Sequence, residues 1–262
     1  TDSYNTAVGF TAGASITTGT ENTLIGGLAG DVITTGSDNV AVGVSALSTE
    51  TLGSGSVAIG KSALLTANQT TAVTSHNVGI GRSAGRFITT GVENTLIGAL
   101  AGDALTDADF NVAVGYAALS SDTLGSKSVA IGQGALNEQN FTTATDAHNT
   151  AVGHAAGNRI STGVRNTIVG GLAADAVTTG QYNSVLGFGA LTAETSGSAS
   201  IAIGYLALSA QNTQATNYNT AVGYEAGKSV TTGIQNTIIG GEAGDALTDA
   251  DDNVAVGYHA LS

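Results

Sequence analysis

A short apolar run recurs along this chain inside a fixed polar frame. The pattern is [Asn/Ser]-x-x-[Val/Ile/Leu]-Gly-x-x-Ala. It begins at Asn5, Asn22, Asn39, Ser56, Asn77, Asn94, Asn111, Ser128, Asn149, Asn166, Asn183, Ser200, Asn219, Asn236 and Asn253. Most starts lie 17 residues apart; the step is 21 after Ser56 and Ser128, and 19 after Ser200. A fixed period of this size is the signature of stacked repeats, each a unit that buries its apolar side only against its neighbours.

Within each unit the second to fourth positions predict a short strand. The fourth is always aliphatic, as in Val8, Ile25, Val42 and Ile59; the second is Thr or a β-branched apolar residue, with one Ser at Ser184. Such residues favour strands, and side chains two apart share a face. The third position points the other way, yet it is apolar too, from Ala7, Leu24 and Ala41 to Ala255. A strand apolar on both faces is expected to be covered on both. One face packs inside the chain's own coil; the other calls for a second chain. The stretches from Ala14 and Arg86 alternate polar and apolar residues up to a Gly turn. They predict a second strand per coil with one solvated face. Two parallel sheets would result, and at about 4.8 Å per rung the stack would form a rod of roughly 70 Å.

Two positions never change. The fifth is Gly in every unit, including Gly9, Gly26, Gly43, Gly60 and Gly115; the eighth is Ala in every unit, including Ala12, Ala29, Ala46 and Ala118. An unvarying Gly implies positive φ or close backbone approach, and an unvarying Ala implies room for one methyl group. The leading Asn reads as a turn former whose amide bonds to its neighbour one rung away.

A longer period is nested on the first. Every fourth unit opens with Ser and carries the longer step, so blocks run 5–76, 77–148, 149–218 and, incompletely, 219–262. The expectation is one repeat domain over 1–262, a segment of a longer chain because it starts and stops inside repeats and lacks an initiator Met.

Composition agrees with a thin core. There are 38 Gly, no Pro, Cys, Met or Trp, and 10% charged residues. The net charge of −13 disfavours nucleic acid and anionic membrane surfaces as partners. Without Cys there are no disulfides and no thiolate chemistry. No run of about 18 apolar residues is present to span a membrane as a helix.

The segments NTAVG at Asn5, NVAVG at Asn111 and SVAIG at Ser56, each followed by x-x-Ala, resemble the head repeats of trimeric autotransporter adhesins and related phage tail-fibre repeats. The resemblance covers essentially the whole chain and rests on Asn5, Val8, Gly9 and their equivalents. It implies a left-handed parallel β-roll assembled as a homotrimer, and attachment to a cell or host surface. No heptad stalk and no anchor accompany the repeats.

Candidate chemistry is sparse. His76, His148, His154 and His259 are the only histidines, and no repeat position supplies them with a base or nucleophile. The Gly-rich GGLAG at Gly26 has no basic partner for a phosphate. Asp107, Asp109, Asp249, Asp251 and Asp252 offer hard oxygen ligands suited to calcium, against the plainer reading of acidic turns. Thr pairs such as Thr17–Thr18 suggest an ice-binding row, but they vanish in the third and fourth units of each block. The extended fourth units are the binding candidates: Asn68, Gln69 and His76, then Gln139, Asn140 and His148, then Gln211, Asn212 and Tyr218. Their alternative is a spacer without a ligand.

The expected architecture is all-β: a parallel β-solenoid of about 15 stacked 17-residue coils. The expected function is a non-enzymatic extracellular rod, on a cell or virion surface, that displays a receptor- or glycan-binding surface. The alternatives are a self-assembling, end-to-end filament subunit and a monomeric ice- or carbohydrate-binding solenoid. No cofactor is called for apart from calcium at the acidic turns.

Overall fold

The structure is a computed structural model, and it describes residues 3–262. Among these residues the chain is all-β without a helix: a parallel β-solenoid of about fifteen turns at the 17-residue spacing. Contacts gather into two compact units, Thr1–Ser128 with Asn140–Thr145, and Val129–Gln139 with Asp146–Ser262. The first unit holds the strands Thr6–Val8, Thr23–Ile25, Val40–Val42, Val57–Ile59, Val78–Ile80, Thr95–Ile97 and Val112–Val114. The second holds Val129–Ile131, Thr150–Val152, Thr167–Val169, Ser184–Leu186, Ile201–Ile203, Thr220–Val222, Thr237–Ile239 and Val254–Val256.

Each repeat supplies one three-residue strand, and neighbours pair in parallel and in register. Thr6 faces Thr23 and Val8 faces Ile25, as Thr220 faces Thr237 and Val222 faces Ile239. The register puts equal repeat positions in columns. The third position is the interior one: Leu24, Ala41, Ala58, Leu96 and Ala113 in the first unit, and Ala151, Ile168, Val185 and Ala202 in the second, are buried. The second and fourth positions point outward.

The second strand expected in each coil does not form in most coils. Residues 14–18 carry no strand, and each unit has one long sheet; the exceptions on the other side are the two-residue strands Gly125–Ser126 and Thr145–Asp146 and the isolated bridges Ser54–Thr74 and Ser198–Thr216. The backbone curls too tightly for a second extended run. The seventh and ninth positions both hold positive φ, as at Leu28 (61°) and Gly30 (52°), or Ser45 (55°) and Leu47 (53°). Rung-to-rung hydrogen bonds nevertheless continue through this side: Gly13 N donates to Ala29 O (3.1 Å), Ser15 N to Asp31 O (3.1 Å) and Thr17 N to Thr34 O (2.9 Å). Backbone groups are therefore satisfied without a regular strand.

The invariant Gly is needed for both reasons the sequence suggested. At Gly98 φ is +134°, and an added Cβ would sit 2.4 Å from the carbonyl oxygen of Gly115 on the next rung. The invariant Ala is buried between rungs, with Ala29, Ala46 and Ala118 all at 0% exposure, and half-buried in the end rungs at Ala12 and Ala260.

The leading Asn residues form a ladder, mainly through the backbone. Asn22 N donates to Asn5 Oδ1 (2.9 Å), Asn39 N to Asn22 Oδ1 (3.1 Å) and Ser56 N to Asn39 Oδ1 (2.9 Å). The Asn22 amide also donates to Asn5 Oδ1 (3.1 Å) and across to Gly36 O (2.9 Å). The shorter Ser side chain ends each run, and the ladder restarts at Asn77, which provides Oδ1 for Asn94 N (3.0 Å).

Candidate interaction surface

The outward sheet face is where apolar side chains meet solvent. In the first unit Ile25, Ile59 and Ile97 stand in one column at the fourth position, each nearly two-fifths exposed. In the second unit Leu186, Ile239 and Val256 occupy the same column, with Leu186 half exposed. The second position lines a parallel column of Thr, Val and Ile. Beyond the Gly corner, the sixth position of the second unit adds an aromatic stack. Phe188 and Tyr205 lie 6.1 Å apart between centroids, and Tyr205 and Tyr224 lie 5.3 Å apart, each pair tilted by 13°. Rung-by-rung register creates this stack, because it places equal positions one rung apart. In the first unit the corresponding positions are mixed, with Val44, Lys61, Arg82 and Tyr116.

Inside the coils lies a polar feature that the sequence reading missed. In the first two repeats of a block the ninth position is small and the twelfth is apolar, as with Gly30 and Ile33 or Gly102 and Leu105. In the third repeat these roles exchange: Leu47, Leu119 and Leu191 fill the ninth position, and the twelfth is Glu50, Asp122 or Glu194. All three carboxylates are buried. Glu50 Oε1 accepts from Thr51 N (3.0 Å), Leu52 N (3.1 Å), Gly53 N (2.7 Å) and Gln69 N (3.1 Å). Glu194 Oε1 accepts from the equivalent turn, including Gly197 N (2.7 Å), while its Oε2 accepts from Gln211 Nε2 (3.1 Å), Thr213 N (3.2 Å) and Asn217 Nδ2 (3.1 Å). Asp122 Oδ1 does the same for Gly125 N (3.1 Å) and Phe141 N (3.0 Å). Each carboxylate thus ties its own turn to the start of the next extended loop. The available signal was an acid recurring every 72 residues at a position that is aliphatic in the first two repeats of each block.

The extended-loop candidates divide into inward and outward residues. Gln69, Gln139 and Gln211 are buried. Gln69 Nε2 donates to Thr90 O (3.1 Å), and Gln139 Oε1 accepts from Asn149 Nδ2 (2.8 Å). Gln211 links Glu194, Ser200 Oγ (2.9 Å) and Asn219 Nδ2 (2.7 Å). Asn68, Asn140 and Asn212 are exposed, and each accepts a hydroxyl from the rung before: Thr51 (2.9 Å), Thr123 (3.3 Å) and Thr195 (3.0 Å). His76, His148 and Tyr218 occupy exposed corners with φ of 47°, 50° and 52°. The structure does not bring these nine residues together as one site.

The hydroxyl column is more continuous than the Thr pairs suggested. Thr17, Thr34, Thr89, Thr106, Thr178 and Thr231 each donate Oγ1 to the carbonyl of the next rung, and the column ends on the three Asn residues. In the third repeats only the second member of each pair is lost; in the fourth repeats Asn replaces the first.

The acidic turns also serve the rungs. Asp109 Oδ1 accepts from Val92 N (2.8 Å) and Asp251 Oδ1 from Ile234 N (2.8 Å), where other repeats use a Ser hydroxyl, such as Ser37 for Thr20 N (3.0 Å). Asp107 accepts from Thr90 (2.5 Å) and Asp249 from Thr248 (3.1 Å). Asp252 sits at a positive-φ corner (58°). Among the described residues no group of three or more His, Cys, Asp or Glu is arranged to hold a metal.

Charged contacts elsewhere are local. Glu225 pairs with Lys228 (2.8 Å), which lowers the carboxylate pKa and raises that of the ammonium. Burial raises the Asp103 pKa, against the opposing pull of a backbone hydrogen bond, Arg86 and Arg82. His259 reaches Glu242 (2.6 Å) through Nε2 and Ser262 Oγ (3.0 Å) through Nδ1, on an exposed part of the last described rung. No family model, curated protein or solved structure matches this chain.

Proposed function

We propose that the chain is a non-enzymatic, extracellular adhesive and structural repeat protein that assembles as a homotrimer through the outer face of its sheet. The observation that carries this reading is the outward apolar column, exemplified by Ile25, Ile59 and Ile97, on a strand whose other face is already packed inside the coil. A contiguous exposed apolar surface on a rigid scaffold marks an interaction site. Equal residues repeat along it, so a second and third copy can match it rung for rung. The resemblance of NTAVG, NVAVG and SVAIG to trimeric adhesin heads supports the same assembly. The extended loops of the fourth repeats then remain outside, available to a receptor or glycan on a host or cell surface.

Sedimentation equilibrium of the full chain tests the reading. A trimer has three times the 25.5 kDa chain mass. Ile97→Lys introduces a charge at an outward site that an isolated solenoid tolerates, so this variant is expected to keep its circular dichroism and sediment as a monomer. A wild-type monomer at tens of micromolar overturns the shared-face reading. Open-ended polymers would replace it with the end-to-end filament.

A further inference from the structure

Two of the extended loops carry a chemical signal beyond their length. Asn68-Gln69-Thr70 and Asn140-Phe141-Thr142 match the acceptor pattern Asn-x-Thr for N-linked sugars, and no other Asn in the chain has Ser or Thr two residues on. They stand 72 residues apart, at the same position of successive blocks. In the third block the corresponding Asn212 is followed by Thr213 and Gln214, so the pattern is broken there.

The local geometry presents both acceptors. The Thr51 hydroxyl donates to Asn68 Oδ1 (2.9 Å); the Thr123 hydroxyl donates chiefly to Phe141 O (2.8 Å) and lies 3.3 Å from Asn140 Oδ1. For both amides Nδ2 has no acceptor among the described residues. The middle residues, Gln69 and Phe141, are buried and anchor the loop; Asn68, Thr70, Asn140 and Thr142 are exposed on either side. The preceding residues, Ala67 and Gln139, point into the coil interior. Both Asn side chains therefore project from the turn-rich side, away from the apolar sheet face.

We propose that Asn68 and Asn140 are acceptor sites for N-linked glycans. In the transfer, Asn Nδ2 bonds to the anomeric carbon of an activated sugar. The bond from that carbon to the phosphate leaving group breaks, and one amide proton passes to a base of the transferase. No oxidant or reductant is involved. The donor is a nucleotide sugar or a lipid-linked oligosaccharide, and both chemistries use the same acceptor. Four rungs separate the sites, so the glycans would stand about 19 Å apart along the first unit. They would cover the exposed loop side with bulky polar groups and leave the sheet face free. The inference rests on the extracellular reading only in requiring that the chain meet a glycosyltransferase.

The test is co-production of the full chain with a soluble N-glycosyltransferase that uses a nucleotide sugar and, separately, with a membrane oligosaccharyltransferase. An appended Asn-Ala-Thr tag reports that each enzyme works. The expected result is modification of Asn68 and Asn140, and not of Asn212, in at least one arm, read by intact mass and peptide mapping. Asn68→Gln and Asn140→Gln should each remove one addition, and Gln214→Thr should create one at Asn212. A single hexose identifies the nucleotide sugar as donor, and a larger oligosaccharide the lipid-linked one. A modified tag with both sites bare in both arms overturns the proposal. Sedimentation mass is read on the same samples, so failure of the trimer and failure of glycosylation are separate results.

Discussion

Replacing Glu194 by Ala should loosen the third block at one defined place. The carboxylate accepts from Thr195 N (2.9 Å), Ser196 N (3.2 Å) and Gly197 N (2.7 Å) through Oε1, and from Gln211 Nε2 (3.1 Å), Thr213 N (3.2 Å) and Asn217 Nδ2 (3.1 Å) through Oε2. Not all six donors are stranded by the truncation. Gln211 and Asn217 keep Ser200 Oγ (2.9 and 3.2 Å), and the N–H groups of Thr195 and Ser196 lie in a half-buried turn that water reaches. Gly197 N and Thr213 N have no such substitute. A buried donor without a partner costs about 1–3 kcal/mol. Two of them, with a small cavity added and the burial of a charge relieved, give a loss of about 4 kcal/mol. Solenoids open locally, so the assay is native-state hydrogen exchange at Gly197 and Thr213, where about a thousandfold loss of protection is expected. Glu50→Ala is the internal control. Glu50→Ala strands the equivalent pair, Gly53 N and Gln69 N, but it also removes Oε2, which is buried without a partner, so it should cost about 1 kcal/mol less. A loss of protection under tenfold at Glu194→Ala, or a larger effect at Glu50→Ala, would refute the assignment of these acids as ties between turns.

Two further substitutions test the rung geometry and the acid linkage. Gly98→Ala places a methyl 2.4 Å from Gly115 O at φ +134°, so denaturant titration should show a loss of about 3 kcal/mol or more; an unchanged midpoint would contradict the register. For Asp103 the folded-state pKa is raised, chiefly by burial, so the folded state binds its proton more tightly than the unfolded chain. That contribution is fully present below the unfolded pKa near 3.8 and is lost as pH rises through the folded value. Asp103→Asn should therefore have the higher Tm at pH 7, with the gap closing as pH falls towards 4; a gap that widens on acidification has the wrong sign.

The fold was legible because its period is written in backbone requirements. A Gly every rung and an Ala three residues later admit few substitutes: one avoids a carbonyl on the next rung, and the other fills a space of one methyl. The Asn ladder followed from the same register. The second strand was misread because alternation at residues 14–18 looks like a half-buried strand, while the positive-φ pair at the seventh and ninth positions, often filled by Leu or Ser, carries no Gly in six of the fifteen repeats. Leu47 at φ 53° is an example. The buried acids were missed for a related reason. Glu50 and Glu194 read as surface residues until the Leu three positions earlier is seen to fill the core in their place.

That exchange explains why the chain repeats in fours. A coil with Gly at the ninth position and Ile or Leu at the twelfth closes on apolar contacts alone: a Cβ on Gly30 would come 2.8 Å from both Ile33 Cδ1 and Leu24 Cδ2. Moving the bulk to Leu47 empties the twelfth position and allows a carboxylate inside. The carboxylate then gathers backbone N–H groups from its own turn and from the next coil, which a methyl group cannot do. Those bonds fix where the following loop departs, so two to four residues can be added there without disturbing the rungs beyond it. The Asn ladder ends at Ser56 and the hydroxyl column ends at Asn68 in the same coil, before both restart in the next block. Interior packing, polar satisfaction and loop length therefore change together, once per block. Variation in the loops is confined to a place where the core has already been rebuilt to tolerate it.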